Sequence, residues 1–184
     1  MPRIVLYEPQ IPPNTGNVAR TCAATGTPLH LIEPLGFTIN DRTLKRAGLD
    51  YWPWVDLHRH RDWQSFRADQ RSRGGRLLAL TRHARQPYPR IPYRARCGGR
   101  LIALSSHATS AYDSCSFRDN DWLLFGRETD GLPKGVSQSC DMSLVIPMRH
   151  EPGDQGQRVR SLNLSVSVAV VLFEALRQLR LTEV

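Results

Sequence analysis

Short apolar runs alternate with longer amphipathic stretches along the chain, which is typical of an α/β domain built on a mostly parallel sheet. Each apolar run predicts a strand, and apolar residues at three- and four-residue spacing predict a helix. The predicted strands are Ile4–Tyr7, Leu29–Glu33, Val55–His58, Leu77–Leu80, Leu101–Leu104, Trp122–Phe125 and Leu144–Ile146. The predicted helices run from about Asn14 or Thr15 to Gly26, Arg42 to Ala47, Asp62 to Gln70 and Leu162 to Leu179.

The last predicted helix is the most apolar segment of the chain. A continuous stripe follows one side of it and is formed by Leu164, Val168, Val171, Ala175 and Leu179. Three further residues, Val166, Val170 and Phe173, widen the stripe to most of the circumference. Such a helix needs cover from a second layer of its own chain or from a partner subunit, and we favour the partner subunit.

A tandem repeat occupies the middle of the chain. Residues 74–97 align without gaps on residues 98–121, with ten identities in 24 positions and the shared frame GGRLxALxxHA. This similarity predicts the duplication of one strand and its connection inside a single domain that spans residues 1–184. The extra copy could add an edge strand or form a surface excursion, and its arginines and tyrosines could contact RNA.

Composition and charge narrow the function classes. The 184 residues fit one compact domain, and no apolar run approaches the roughly 20 residues that span a bilayer. The N-terminus lacks a signal-peptide core, so we expect a cytoplasmic protein with no membrane partner. Lys and Arg outnumber Asp and Glu by 25 to 17, and only two of the 25 are lysines. Because guanidinium groups suit phosphate contacts, a nucleic acid is a plausible partner, although an arginine-rich proteome would give the same balance.

Several common sites are absent from the sequence. The four cysteines contain no CxxC pair, and His58 and His60 have no companion ligand at zinc spacing, so neither a disulfide framework nor a metal site is expected. There is no GxxxxGK[ST] loop, no GxGxxG after the first strand and no GxSxG elbow. These absences disfavour a nucleotide triphosphatase, an ordinary Rossmann dehydrogenase, the usual glycine-rich methyltransferase and an α/β-hydrolase.

Three compact clusters of polar residues and glycine remain, each beyond a predicted strand. The first, IPPNTGNVAR at residues 11–20, predicts a stiff turn and a helix capped by Asn14 or Thr15, with Asn17 and Arg20 on one face. The second, FGRETDGLP at residues 125–133, places Glu128 between two glycines. The third, RSLNLS at residues 160–165, predicts a serine-capped helix start and contains Asn163. Each cluster alone is also compatible with a purely structural turn.

Together the clusters resemble the motifs of the SpoU class of RNA 2'-O-ribose methyltransferases, within the SPOUT superfamily. The matching blocks are NVAR, GRETDGLP and SLNLS, in that order. The stretches LYEPQIPPNTGN, LHLIEPLGF and RAGLDYW look like the minimal, single-domain branch, which methylates the ribose of the wobble nucleotide (position 34, cytidine or 5-modified uridine) in the anticodon loop of tRNA.

The resemblance implies a fold, a cofactor and an oligomeric state. Family members form a parallel sheet with helices on both faces, and their C-terminal segment threads a deep trefoil knot. They bind S-adenosylmethionine in that knot and form homodimers through the first and last helices. The implied cofactor-binding residues are Leu104, Gly126, Ile146 and Ser161, with Leu80 as the rival of Leu104 because of the repeat.

The resemblance also implies the catalytic residues: Arg20 at the reaction centre, with Asn17, Glu128 and Asn163 fixing the geometry around it. A free arginine is a very poor base because its pKa exceeds about 12. Arg20 is therefore expected to orient or polarise the ribose 2'-hydroxyl, with an RNA phosphate as one possible proton acceptor.

Three differences from the family bear on the site. The loop at residues 149–160 is longer than in minimal members, Asp130 stands where relatives commonly carry a basic residue, and Phe173 stands where some have tyrosine. Two alternative functions stay open. One is 2'-O-methylation at another RNA site, and the other is a catalytically silent RNA-binding or assembly factor on the same scaffold.

Overall fold

The computed structural model describes residues 1–39, 51–73, 77–79, 101–104, 111–148 and 161–181. Its strands are β1 (Arg3–Tyr7), β2 (Leu29–Ile32), β3 (Leu57–His60), β4 (Leu77–Ala79), β5 (Leu101–Leu104), β6 (Trp122–Phe125) and β7 (Met142–Leu144). Its helices are α1 (Pro12–Thr25), α2 (Trp63–Ser72), α3 (Lys134–Gln138) and α4 (Leu164–Leu181), with 3₁₀ turns at Trp52–Trp54 and Tyr112–Ser114. The predicted helix from Arg42 to Ala47 lies outside the described residues.

The strands form one sheet in the order β3-β2-β1-β6-β5-β7, and every described pair of these strands is parallel. The predicted α/β class with a parallel sheet is therefore confirmed. In this order β1 and β6 are neighbours, and β6, β5 and β7 follow one another. The carboxyl ends of these strands consequently lie side by side along one edge of the sheet, where ligand sites of open α/β sheets form.

The repeat meets the sheet at one place. Both β4 and β5 run parallel to β6 and in the same register, because Leu77 and Leu101 each pair with Trp122. The opposite edge of β6 is taken by β1, where Arg3 pairs with Trp122. The strands of the two repeat copies therefore pair with the same residues of β6.

The hydrophobic core lies between the sheet and its helices. Strands β1, β2 and β6 are almost wholly buried, as expected for central strands covered on both faces. On α4, Val168, Val171 and Ala175 are fully buried, which confirms that part of the predicted stripe. Val166 and Phe173 are 46% and 55% exposed on the same helix, so this chain leaves part of its apolar surface uncovered. Among the described residues, no helix combines the length and apolar character needed to cross a bilayer.

Two strands begin and end two residues away from their predicted bounds. Strand β3 is Leu57–His60 instead of Val55–His58, because Leu57 pairs with Leu29 and His60 with Ile32. Strand β7 is Met142–Leu144 instead of Leu144–Ile146, because its partners are Ile102 to Leu104 of β5. In both cases the pairing register, rather than local hydropathy, sets the bounds of the strand.

The helix caps also differ from the predictions. Helix α1 begins at Pro12 after Ile11, with no side-chain cap from Asn14 or Thr15, and it ends at Gly26 as predicted. Helix α4 is capped by Asn163 instead of a serine, since Asn163 Oδ1 accepts from the backbone N–H of Ser165 at 2.9 Å.

Candidate active site

The three polar clusters lie next to each other at the carboxyl edge of the sheet. The segment after β1 leads into α1, and the turn that begins at Gly126 leaves the neighbouring strand β6. The start of α4 reaches the same place, because Asn163 hydrogen-bonds to Asn14 of α1. Sequence elements more than 100 residues apart thus form one site.

Glu128 holds the N-terminal end of α1. Its carboxylate accepts from the backbone N–H of Gln10 at 2.9 Å and from that of Ile11 at 3.2 Å. It also accepts from Asn14 Nδ2 at 3.1 Å. A negative charge at this end of a helix is additionally favoured by the helix dipole. Glu128 therefore holds the start of the first cluster against the turn that forms the second cluster.

Asn14 connects Glu128 to the third cluster. The Asn14 side chain is 7% exposed, donates to Glu128 and accepts from Asn163 Nδ2 at 2.9 Å. Asn163 Oδ1 in turn accepts from the backbone N–H and the hydroxyl of Ser165, at 2.9 and 2.8 Å. The result is a continuous chain of hydrogen bonds from Glu128 through Asn14 and Asn163 to Ser165.

Arg20 and Asn17 occupy the exposed side of α1. Within the part of the chain that the structure describes, no hydrogen bond joins either side chain to Glu128 or Asn163. The Arg20 guanidinium carbon instead lies 5.3 Å from the centre of the Tyr51 ring. The structure thus brings Glu128 and Asn163 together through Asn14, whereas Asn17 and Arg20 lie on the exposed side of α1, outside this chain of hydrogen bonds.

The turn after β6 is closed by its own backbone. Arg127 N donates to Gly131 O at 3.1 Å, and Gly131 N donates to Arg127 O at 3.0 Å. A Cβ on Gly126 would lie 2.3 Å from the Gly131 carbonyl carbon, and Gly131 itself has a φ of +73°. Both positions therefore require glycine, which keeps the turn tight and its backbone close to the strand end.

Three of the four predicted cofactor-binding residues lie at or just beyond three adjacent strand ends. Leu104 is the last residue of β5, Gly126 directly follows β6, and Ile146 stands two residues after β7. Ile146 is half-buried against the core, and Ser161 is exposed three residues before α4. The rival residue Leu80 lies outside the described residues. Backbone amides and carbonyls at such strand ends suit the recognition of a nucleoside.

The turn also carries a charged group that the sequence analysis did not use. Arg127 Nη1 donates to Glu8 Oε2 at 3.0 Å, and Arg127 Nη2 donates to Asp130 Oδ2 at 2.8 Å. Glu8 is a non-glycine residue with a φ of +46°, which this ion pair helps to hold. Asp130 is therefore engaged within the turn.

A histidine cluster lies under the sheet, between β2, β3 and α2. His30 Nδ1 and His60 Nε2 are 2.9 Å apart, and the nearest ligand atoms of His30, His60 and Asp69 all lie within 4.8 Å of one another. The pKa of His30 is lowered to about 2, chiefly by burial and to a smaller extent by the nearby His58, His60, Arg73 and Arg3. Asp69 accepts from Arg73 Nε at 2.9 Å. The same side chains have the spacing of a metal site. The nearby guanidinium groups of Arg73 and Arg3, however, oppose the binding of a cation. A hydrogen-bonded pair of neutral imidazoles therefore fits these surroundings better.

The sequence analysis did not identify the roles of two residues of the site. Asn14 was interpreted as a possible helix cap, whereas it links Glu128 to Asn163. Tyr51 belongs to the RAGLDYW stretch and carried no assigned role, yet its ring lies beneath Arg20. For Asn14 the sequence carried only a capping signal, because the burial that requires partners for its amide comes from the fold. No local signal identifies the second.

The chain is similar to known RNA methyltransferases. Residues 1–173 match the profile of the SpoU rRNA Methylase family. A Synechocystis sp. protein is 47% identical over 180 residues, which cover 98% of each chain. A Polaromonas sp. protein named tRNA (cytidine(34)-2'-O)-methyltransferase is 44% identical over 176 residues, covering 95% of this chain and 89% of its own. A solved structure that addresses the 2-OH methylation of C/U34 on tRNA superposes with a TM-score of 0.73 at 42% identity, covering 98% of this chain and 97% of its own.

Proposed function

The chain belongs to the SpoU rRNA Methylase family, and on that basis we propose that it is a tRNA 2'-O-ribose methyltransferase acting on the wobble nucleotide, position 34. The observation that carries this proposal is the 44% identity, over 95% of the chain, to a protein named for that reaction at cytidine 34. The chain of hydrogen bonds through Glu128, Asn14 and Asn163 supports it, because it joins all three polar clusters into one site.

We assign the methyl donor, S-adenosylmethionine, to the loops that follow β5, β6 and β7. The residues present fit a nucleoside there, since three strand ends offer backbone donors and acceptors and Ile146 offers a half-buried apolar wall. Leu104, Gly126, Ile146 and Ser161 would hold the molecule. When bound, it supplies a methyl group already activated by a positively charged sulfur. The family's trefoil knot is part of the same proposal, and a crystal structure of the protein with S-adenosylmethionine bound would test it.

The bound donor would supply its methyl carbon to the ribose 2'-oxygen as the carbon–sulfur bond breaks, and the hydroxyl proton would pass to a phosphate oxygen of the RNA. Positioning supplies most of the acceleration in such a transfer. Arg20 donates to and orients the hydroxyl or its neighbouring phosphate, since a guanidinium is a poor base. Asn17 lies on the same exposed side of α1 and serves the same RNA contact. Glu128 and Asn163 act by holding the start of α1 in place.

Membership of the same family also indicates the RNA substrate and the partner subunit. The anticodon loop of tRNA would bind over the exposed side of α1, and the formal charge of +8 favours a polyanion. A second copy of the chain would cover the exposed Val166 and Phe173 of α4, which gives a homodimer.

The deciding experiment incubates the protein with labelled S-adenosylmethionine and bulk tRNA and then maps 2'-O-methyl nucleosides. We expect one 2'-O-methyl group at position 34 and a loss of about 100-fold or more in Arg20→Ala. Arg71→Ala is the matched control, since Arg71 is an exposed arginine of α2. Methylation at a different RNA position would favour the first alternative function. Cofactor binding without any transfer would favour a silent RNA-binding protein.

A further inference from the structure

Arg20 is held from beneath by an aromatic ring. We propose that Tyr51 is a positioning residue that presents the Arg20 guanidinium to the RNA, an inference that rests on the proposed methyltransferase function. The guanidinium carbon lies 5.3 Å from the ring centre, within the range of a cation–π contact. Tyr51 directly precedes the 3₁₀ turn Trp52–Trp54 and lies in a different part of the chain from the helix that carries Arg20.

The ring itself is fixed at both ends. The Tyr51 hydroxyl donates to the backbone carbonyl of Gly16 at 2.7 Å, and Gly16 lies one turn before Arg20 on α1. At the other end the Tyr51 carbonyl accepts from Trp54 N at 3.0 Å, which closes the 3₁₀ turn. Tyr51 is only 8% exposed. A rigid, buried ring is thus tied to the same helix whose arginine it supports.

An aromatic support leaves the arginine chemically available. Among the described residues, no carboxylate or hydrogen-bond acceptor engages Arg20. An ion pair would use two of the five guanidinium N–H donors and neutralise its charge, as happens to Arg127 between Glu8 and Asp130. A ring face restricts the position of the long side chain and consumes none of its donors. Within the described part of the chain, all five are open to oxygen atoms of the RNA.

The matched substitutions are Tyr51→Phe and Tyr51→Leu. Phenylalanine keeps the ring face and loses the hydrogen bond to Gly16, whereas leucine removes the face and keeps an apolar side chain. We expect Tyr51→Leu to lower kcat about 10-fold with an unchanged KM for S-adenosylmethionine, and Tyr51→Phe to lie within about threefold of the wild type. Trp63→Leu is the control, because it removes the ring that lies 5.8 Å from another arginine, Arg67.

A double-mutant cycle separates positioning from folding. If the ring acts through the guanidinium, Tyr51→Leu causes no further loss of single-turnover rate in the Arg20→Ala background. Equal losses in both backgrounds would overturn the inference and make Tyr51 a structural residue. Wild-type kcat in Tyr51→Leu would overturn it as well.

An NMR measurement does not depend on activity. The Arg20 side-chain N–H signal is expected to show a ring-current shift in the wild type and in Tyr51→Phe, and to lose it in Tyr51→Leu. An absent shift in the wild type would refute the contact. A wild-type protein that shows the shift but methylates no tRNA would refute the proposed function and not the contact.

Discussion

Asn163 donates a hydrogen bond from its side-chain amide to the side-chain oxygen of Asn14, at 2.9 Å, although the two residues are 149 positions apart in the sequence. The same Asn163 caps α4, and the same Asn14 donates to Glu128. One pair of amides therefore fixes the start of the last helix against the start of the first. This contact and its neighbours give the following expectations.

Asn163→Leu should lower the free energy of unfolding by about 2 kcal/mol, because it leaves the buried Asn14 oxygen unpaired and removes the cap of α4. Urea denaturation of the two proteins measures the difference. Gln64→Ala, at an exposed position of α2, should change the same quantity by less than about 0.5 kcal/mol. Equal stability of Asn163→Leu and the wild type would contradict the importance of the bridge.

Glu128→Gln should cost about 1–3 kcal/mol of stability and lower the methylation rate, because one of the two oxygens that accept from the N–H groups of Gln10 and Ile11 becomes an NH2 donor. Glu33→Gln is the control, since Glu33 accepts only from the half-exposed Arg59 in the described residues. An exposed ion pair of that kind contributes at most about 1 kcal/mol. Similar losses in both variants would argue against a special role for Glu128.

Phe173→Glu should convert the proposed homodimer into a monomer. Phe173 and Val166 lie seven residues apart on α4, about two helical turns, and are 55% and 46% exposed, so a charge there would be buried against the partner. Light scattering after size-exclusion chromatography measures the mass. Trp54→Glu changes an aromatic residue that is 72% exposed outside α4 and should leave the mass unchanged. A Phe173→Glu protein of wild-type mass would place the interface elsewhere.

Stability should fall as the pH drops from about 7.5 to about 5.5. Folding holds the buried His30 neutral, with its pKa lowered to about 2 chiefly by burial, whereas the unfolded chain protonates it near its ordinary pKa of 6.5. The unfolded state then binds more protons, so His30 alone accounts for about 1.4 kcal/mol over this interval. The pKa of His60 is lowered as well, also chiefly by burial, which adds in the same direction.

Chemical denaturation across this pH range checks the histidine prediction. His30→Leu should show a shallower loss of stability with falling pH than the wild type. A steep slope that persists in His30→Leu would assign the effect to other groups.

Deletion of residues 74–97 should leave a folded protein with wild-type methylation rates within about threefold. The strand β5 retains the pairing with β6 that β4 would otherwise share, and one edge of a strand holds one neighbour. Deletion of residues 98–121 should be far more harmful, because the second copy contributes the buried Cys115 and Phe117, and Phe117 N donates to Gln178 of α4 at 2.9 Å.

Circular dichroism, melting temperature and the tRNA assay compare these two deletions. Loss of folding on removal of residues 74–97 would mean that the first copy holds the position beside β6. Equal activity of the two deletions would mean that either copy can fill it.

Much of the fold was determined locally by the sequence. The apolar runs of β1, β5 and β6 and the apolar stripe of α4 were located from their own periodicity, since a buried strand or helix must present apolar side chains at that period. Gly26 ends α1 because it adopts a φ of +65°, which glycine permits. The order of the three polar clusters identified the family, because each cluster is a short, contiguous motif.

Only the tertiary structure decided which residues pair between strands and which distant side chains are in contact. The bounds of β3 and β7 follow their partners, and nothing in the hydropathy of the histidine-rich β3 indicates that His60 is buried beside His30. Asn14 carries a capping signal and instead forms the bridge, and Tyr51 supports Arg20 from 31 residues away. Periodicity and turn chemistry act over a few residues, whereas these contacts depend on the path of the whole chain. The sequence therefore determined the elements and the family, and the tertiary structure decided which side chains hold the site together.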